Sequence, residues 1–159
     1  MSNLRIISAK PEDSAEILTF IKHLAVYEKL EHSVVATEEQ LKRTLFGAKS
    51  VAEVLFAESD GRKIGFALFF HNYSTFLAKP GIYLEDLFVL PEYRGKGAGK
   101  ALLKHLAKLT VERECGRLEW AVLDWNKPAI DFYESVGAKP MDEWITYRLT
   151  GEALEKFAK

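Results

Sequence analysis

The chain has 159 residues, 48% apolar and 28% charged, with a formal net charge of −1. This is the composition of a soluble globular protein, with apolar mass for one core and the length of one domain, 1–159. It excludes the basic footprint of a nucleic-acid binder, the ~18-residue apolar run of a membrane span and, with Cys115 as its one cysteine, an internal disulfide. The opening residues M-S-N-L-R-I-I lack the layout of a signal peptide, so a cytoplasmic protein is expected.

Residues 4–8 read as a short edge strand. Pro11 then suits a helix start, with Glu12 and Asp13 in the first turn, where carboxylates complement the macrodipole. Ile17, Ile21, Leu24 and Glu28 fall on one helical face, beside Leu18 and Ala25. Glu28 stands out there, because it extends an apolar stripe with a carboxylate. Thr37-Glu38-Glu39-Gln40 has the form of a capping box and opens a second helix to about Phe46. Residues 51–58 and 63–71 are strands joined through Asp60-Gly61, a hairpin signal. Residues 72–81 read as a loop, and 82–90 as a strand apolar on both faces, hence central. A helix follows from Ala101, with Cys115-Gly116 as its stop. Residues 117–123 read as a buried strand, 124–126 as a turn and 127–136 as a helix. Asn126 is the expected N-cap of that helix, and Gly137 its C-terminal glycine. A last strand is expected near 144–149, before a short polar helix. The order implies an α/β protein, a mixed sheet flanked by helices, with antiparallel strands first and a parallel βαβ unit later.

The stretch V-L-P-E-Y-R-G-K-G-A-G-K, residues 89–100, lies between a strand and a helix. Its glycines allow backbone N–H groups to approach a phosphate. The helix start adds unpaired N–H groups and a partial positive charge. Arg94, Lys96 and Lys100 add three cations. A Walker loop requires glycine where Arg94 stands and Ser or Thr where Ala101 stands. A dinucleotide fingerprint requires glycine where Lys100 stands. What remains is Arg-Gly-x-Gly-x-Gly after a strand, which is either an anion site or an ordinary glycine-rich turn.

Glu85 and Asp86 are neighbours in a strand and are expected on opposite faces, so that they cannot both serve one site. A carboxylate buried on a central strand has its pKa raised, which suits a general base. Tyr133 lies two helical turns after Asn126 on the same helix face. A phenol with a pKa of about 10 is protonated at neutral pH. Tyr133 is therefore either a proton donor or a core tyrosine. His23, His32, His71 and His105 show no metal spacing, so no metal is expected.

Together, I-Y-L-E-D-L-F-V, P-E-Y-R-G-K-G-A-G-K and A-V-L-D-W-N-K-P-A-I-D-F-Y resemble the GNAT superfamily of acetyltransferases. Within it they resemble the diamine branch, which acts on spermidine, spermine or thialysine. I-K-H-L-A-V-Y-E-K-L and N-Y-S-T-F add to the likeness, which covers nearly the whole chain. The resemblance implies the acyl-CoA N-acyltransferase fold, acetyl-CoA as donor, a small amine as acceptor and a homodimer. It implies that Leu87, Phe88 and Val89 pair with the pantetheine arm. Arg94, Gly95, Lys96, Gly97, Ala98, Gly99 and Lys100 would hold the pyrophosphate. Asn126, Lys127, Pro128 and Ala129 would touch the cofactor near its thioester. Tyr133 would protonate the leaving thiolate, and Glu85 would take the proton of the amine, directly or through water. Tyr27, Glu28, Glu85, Glu119, Trp120, Ala121 and Glu143 would contact the acceptor. Ser74 stands where spermidine enzymes carry an acid, which turns the expectation toward a shorter or different amine. A protein or peptide amine as acceptor, or an acyl-CoA-binding module without turnover, are the readings left open.

Overall fold

The computed structural model describes residues 3–159. The chain forms two compact units, Met1–Ala121 and Val122–Lys159.

The first unit holds a five-stranded sheet in the order β1-β2-β3-β4-β5. Its strands are β1 (Leu4–Ser8), β2 (Glu53–Ser59), β3 (Arg62–Ser74), β4 (Lys79–Val89) and β5 (Leu118–Trp120). The first four pair antiparallel in succession. β5 pairs parallel to β4 after the helix α3 (Ala98–Glu112). β1 is the expected edge strand, and Asp60-Gly61 turns β2 into β3. Asp60 and Gly61 both take positive φ, 50° and 80°, as a two-residue hairpin turn of this type requires.

Helix α1 (Ser14–Tyr27) packs its apolar stripe on one face of the sheet. Ile17, Phe20 and Leu24 meet Val54, Phe56, Phe66 and Phe88 there. Lys63 ties the beginning of α1 to β3, with Nζ 2.6 Å from Asp13 and 2.9 Å from Glu16. Helix α2 (Glu38–Phe46) begins at the anticipated capping box. The Gln40 N–H donates to Thr37 Oγ1, and the Thr37 N–H donates back to Gln40 Oε1.

Several boundaries differ from expectation. Most of 72–81 is strand, because β3 runs on to Ser74 and β4 starts at Lys79, leaving a turn of 75–78. The Ser74 hydroxyl, buried in that turn, accepts from the Leu77 N–H. The hydroxyl thus helps to form the turn. α3 ends at Glu112, and Glu114, not Gly116, takes the left-handed conformation, with φ 56°. The Cys115 N–H returns to the Thr110 carbonyl and the Glu114 N–H to that of Val111, which is a Schellman closure. Gly116 lies close to the turn, where a Cβ would press on the flexible tip of Leu77. The strand expected over 117–123 contracts to Leu118–Trp120 and is only half-buried.

The second unit contains α4 (Lys127–Ser135) and α5 (Gly151–Phe157). Gly137 follows α4 with φ 91°, as expected of a C-terminal glycine. The strand expected near 144–149 is not formed. That segment joins no ladder among the described residues, and the Trp144 N–H turns back to Met141 O. A β-branched and aromatic run makes a strand only when a partner takes its backbone hydrogen bonds.

Candidate active site

The site is organised by an irregularity in β4. β3 and β4 pair Leu68 with Asp86 and Phe69 with Leu84, so Glu85 has no partner across the ladder. An extra residue on one strand is a β-bulge, which re-aims the side chains around it. Phe66 and Leu68 pack in the core beneath α1. Their partners Phe88 and Asp86 therefore face α1 as well. Tyr83, opposite Phe70, continues the same face, and the two rings lie 5.2 Å apart. Regular alternation would put Tyr83 and Asp86 on opposite faces, and Glu85 absorbs the difference.

Glu85 and Asp86 are consequently on one face, not two. The expectation that they could not share a site is corrected by the register. Glu28 caps the C-terminus of α1 over the same region. Burial pushes the Asp86 carboxyl up to about 6, with the neighbouring Glu85 and then Glu28 adding to the shift. Burial likewise raises Glu28, with Glu85 next. The Tyr83 phenol is raised by burial, then by Glu85 and Glu119. Three carboxylates from two elements thus converge, and the raised carboxyl on β4 is Asp86. Of the two neighbours Glu85 is exposed and Asp86 is half-buried.

Beyond the bulge one edge of β4 carries no ladder among the described residues. β5 covers only Ile82–Leu84. Among the described residues no strand pairs with Leu87, Phe88 and Val89 on the side away from β3. An open edge of this kind offers backbone donors and acceptors to an extended ligand.

The chain then enters the glycine turn. Gly95 and Gly97 take φ 74° and 92°, values that side-chain-bearing residues rarely adopt. Gly99 has no such need, and a Cβ there would only touch Val89. Gly97 is the N-cap of α3, and no side chain caps this helix start. Its first N–H groups carry no side-chain cap and adjoin Lys96 and Lys100 in sequence, which suits an anion site. Arg94 folds back instead. Its Nε donates to Val89 O at 2.9 Å, and its guanidinium lies 4.8 Å from the Tyr27 ring centre and 5.0 Å from that of Phe88. The structure therefore joins Tyr27 and Arg94, which the sequence placed in separate roles.

Glu119 lies beside Tyr83 across the parallel ladder, and Trp120 beside Leu84. Ala121 follows the end of β5. In the second unit Asn126 caps α4, its Oδ1 accepting from the Ala129 N–H at 3.4 Å. Lys127 pairs with Asp131, and Pro128 occupies the first turn, where its missing N–H costs nothing. Tyr133 is on the same helix, its ring 5.7 Å from that of Phe132. Glu143 is exposed after that helix.

Residues 15–138 match the model of the Acetyltransferase (GNAT) family. The chain belongs to this family. As a GNAT acetyltransferase it is an enzyme of the acyl-transfer class. It is 39% identical to a thialysine N-epsilon-acetyltransferase of Bos taurus and 37% identical to that of Mus musculus, over 99% of each chain. An L-ornithine N5-acetyltransferase of Arabidopsis thaliana is 38% identical over 98% of this acetyltransferase and 88% of its own length. Among solved structures, an integron cassette protein from the mobile metagenome of V. cholerae superposes with a TM-score of 0.83 at 29% identity, covering 99% and 98% of the two chains. An aminoglycoside acetyltransferase from a soil metagenome shares the fold, with a TM-score of 0.79 at 18% identity over 95% of this chain and 98% of its own.

Asp86 is the site residue that the sequence alone did not bring in. Its place depends on the pairing of β3, and no local signal marks it. No helix among the described residues is long and apolar enough to cross a membrane, and no group of His, Cys, Asp and Glu among them is placed to hold a metal.

Proposed function

We propose that the protein is one acetyltransferase domain, residues 1–159, which moves an acetyl group from acetyl-CoA to a primary amine of a small diamine, polyamine or thialysine-like amino acid by direct attack. The observation that carries this reading is the bulge at Glu85, which turns Glu85 and Asp86 to the face where Glu28 ends α1. Converging carboxylates attract a cationic acceptor. The names of the thialysine and ornithine relatives support the same class of acceptor.

The donor supplies an activated thioester. The uncapped start of α3, with Gly95 and Gly97 at positive φ and with Lys96 and Lys100 nearby, suits its pyrophosphate. The open edge at Leu87–Val89 suits its extended arm. A primary alkylamine has a pKa of about 10.4, so freeing its lone pair at pH 7 costs roughly 4–5 kcal/mol. A carboxylate must take that proton. Glu85 does so from the exposed side of the bulge, directly or through water. Asp86, with a pKa of about 6, can hold a proton near neutrality. In the same reading Asn126–Ala129 bind the donor and Tyr133 supplies a proton to the departing thiolate. The working form is taken as a cytoplasmic homodimer, following the resemblance to the diamine acetyltransferases.

The test is CoA release from acetyl-CoA with spermidine, spermine, putrescine, ornithine, thialysine and a lysine-containing peptide. Turnover of the small amines is expected. Turnover of the peptide alone, or donor binding without any release, sinks the reading. Tyr133→Phe should lower kcat while the Kd for acetyl-CoA stays nearly the same, by rapid-mixing kinetics and calorimetry.

A further inference from the structure

A second polar cluster lies on the same face of the sheet, at the other end from the carboxylates. Glu119 Oε1 is 2.9 Å from Arg117 Nε and accepts from Asn72 Nδ2 at 3.2 Å. Arg117 and Glu119 project from β5 and its entry, two residues apart and so on one side. Asn72 reaches them from β3 across Gly81. A Cβ at Gly81 would lie 2.3 Å from Asn72 Oδ1 and 3.3 Å from Arg117 Cγ, so glycine makes room for both. Both side chains of the ion pair are open to solvent, at 41% and 35% exposure.

Two features set this cluster apart from an ordinary surface pair. Asn72 spends its amide on Glu119 and leaves Oδ1 buried without a hydrogen-bond partner. The bond from the Asn72 amide holds the Glu119 carboxylate in one orientation. The bonds also converge on Glu119 Oε1 and Arg117 Nε. Glu119 Oε2 and the two Nη atoms of Arg117 take no part in them. A carboxylate oxygen and a guanidinium fork therefore stand side by side. That is a complementary pattern for an ammonium and a carboxylate on one carbon.

The spacing fits an acceptor that carries both. Glu119 is level with Tyr83, and Glu85 is two residues further along β4. Two strand residues span roughly 7 Å. From α-carbon to terminal amine an extended ornithine spans about 5 Å and an extended lysine about 6 Å, a gap to the roughly 7 Å spacing that the side chains of Glu119 and Glu85 can close.

We propose that Arg117 and Glu119, oriented by Asn72, bind the zwitterionic α-amino-acid end of the acceptor, and that the preferred acceptor is an α,ω-diamino acid whose terminal amine reaches Glu28, Glu85 and Asp86. This rests on the acetyl-transfer reading above and narrows its substrate class. A simple diamine carries a second ammonium there, which Glu119 attracts and Arg117 repels. A diamino acid satisfies both.

The test compares acceptors that differ only in the α-carboxylate, ornithine with putrescine and lysine with cadaverine, by steady-state CoA release from the full chain. The wild-type kcat/KM should favour each amino acid over its diamine by about tenfold or more, the yield of one charge-assisted contact. Arg117→Gln should raise the KM for ornithine by about tenfold and lower that for putrescine, because Glu119 is no longer neutralised. Arg117→Lys should recover part of the ornithine affinity. An equal rise in both KM values would give Arg117 a structural role and overturn the proposal. A wild-type preference for the diamines would overturn it too, while leaving acetyl transfer to small amines standing. No turnover of any small amine would overturn both. If Arg117→Gln does not melt cooperatively, the wild-type ratios decide the question.

Discussion

The two halves of β4 differ in what holds them. Before the bulge, Ile82–Leu84 have strands on both sides, β3 and β5. After it, Leu87–Val89 have β3 on one side and an open edge on the other. The first half is fixed by ladders, and the second by the face it buries. Phe88 is only 5% exposed and packs with Phe20 and Phe66 beneath α1. The difference shows how a strand can leave backbone groups open to a ligand without becoming loose. Packing on one face takes over where hydrogen bonding on one edge stops. The bulge is the change-over point, and the carboxylates gather there.

The strongest way to break this arrangement is Phe88→Ala. It removes the packing that stands in for the missing ladder, and should cost about 3–5 kcal/mol in urea unfolding. A loss below about 1 kcal/mol would mean that the second half is held otherwise. Next is Asp86→Asn. The Asp86 pKa is raised in the folded state from 3.8 to about 6. Below about pH 4 both the folded and unfolded forms are protonated, and there is no penalty. As pH rises through 6 the folded protein must ionise a half-buried carboxyl, and stability is lost. The variant should therefore be the more stable by at most about 3 kcal/mol at pH 8, with the gain vanishing near pH 4. Thermal melts at both pH values check the sign, and lowered kcat is expected alongside.

Gly81→Ala probes the doubly paired half. Its Cβ would meet Asn72 Oδ1 at 2.3 Å and Arg117 O at 3.2 Å. A loss of about 1–3 kcal/mol is expected from overpacking, and with it the hold of Asn72 on Glu119. The smallest effect is Glu28→Gln. Glu28 is the third cause of the Asp86 shift, after burial and Glu85. Its removal should move the Asp86 midpoint down, which a carboxyl-resolved NMR titration would detect. An unmoved midpoint would separate α1 from the carboxylate group.

Much of the molecule is legible in the amino-acid sequence itself. The capping box at Thr37, the Asp60-Gly61 hairpin, the glycine turn and the Asn126 cap are local signals, and each forms at its expected place. Such features are set by φ preferences and by hydrogen bonds within a few residues, so a short stretch of sequence contains their cause. The strand expected near 144–149 is absent for the opposite reason. Its composition is right for β structure, but a strand is a property of two segments, and among the described residues this one joins no ladder.

The site divides in the same way. Residue types and spacing marked the glycine turn, and the likeness to the GNAT family singled out Glu28, Glu85 and Glu119. Only the tertiary structure decided that Glu85 and Asp86 share a face, that Asp86 carries the raised pKa, and that Asn72 and Arg117 stand around Glu119. A one-residue slip in pairing reverses every side chain beyond it. That slip is set by how β3 and β4 lock together under α1, not by Glu85 or its neighbours in sequence.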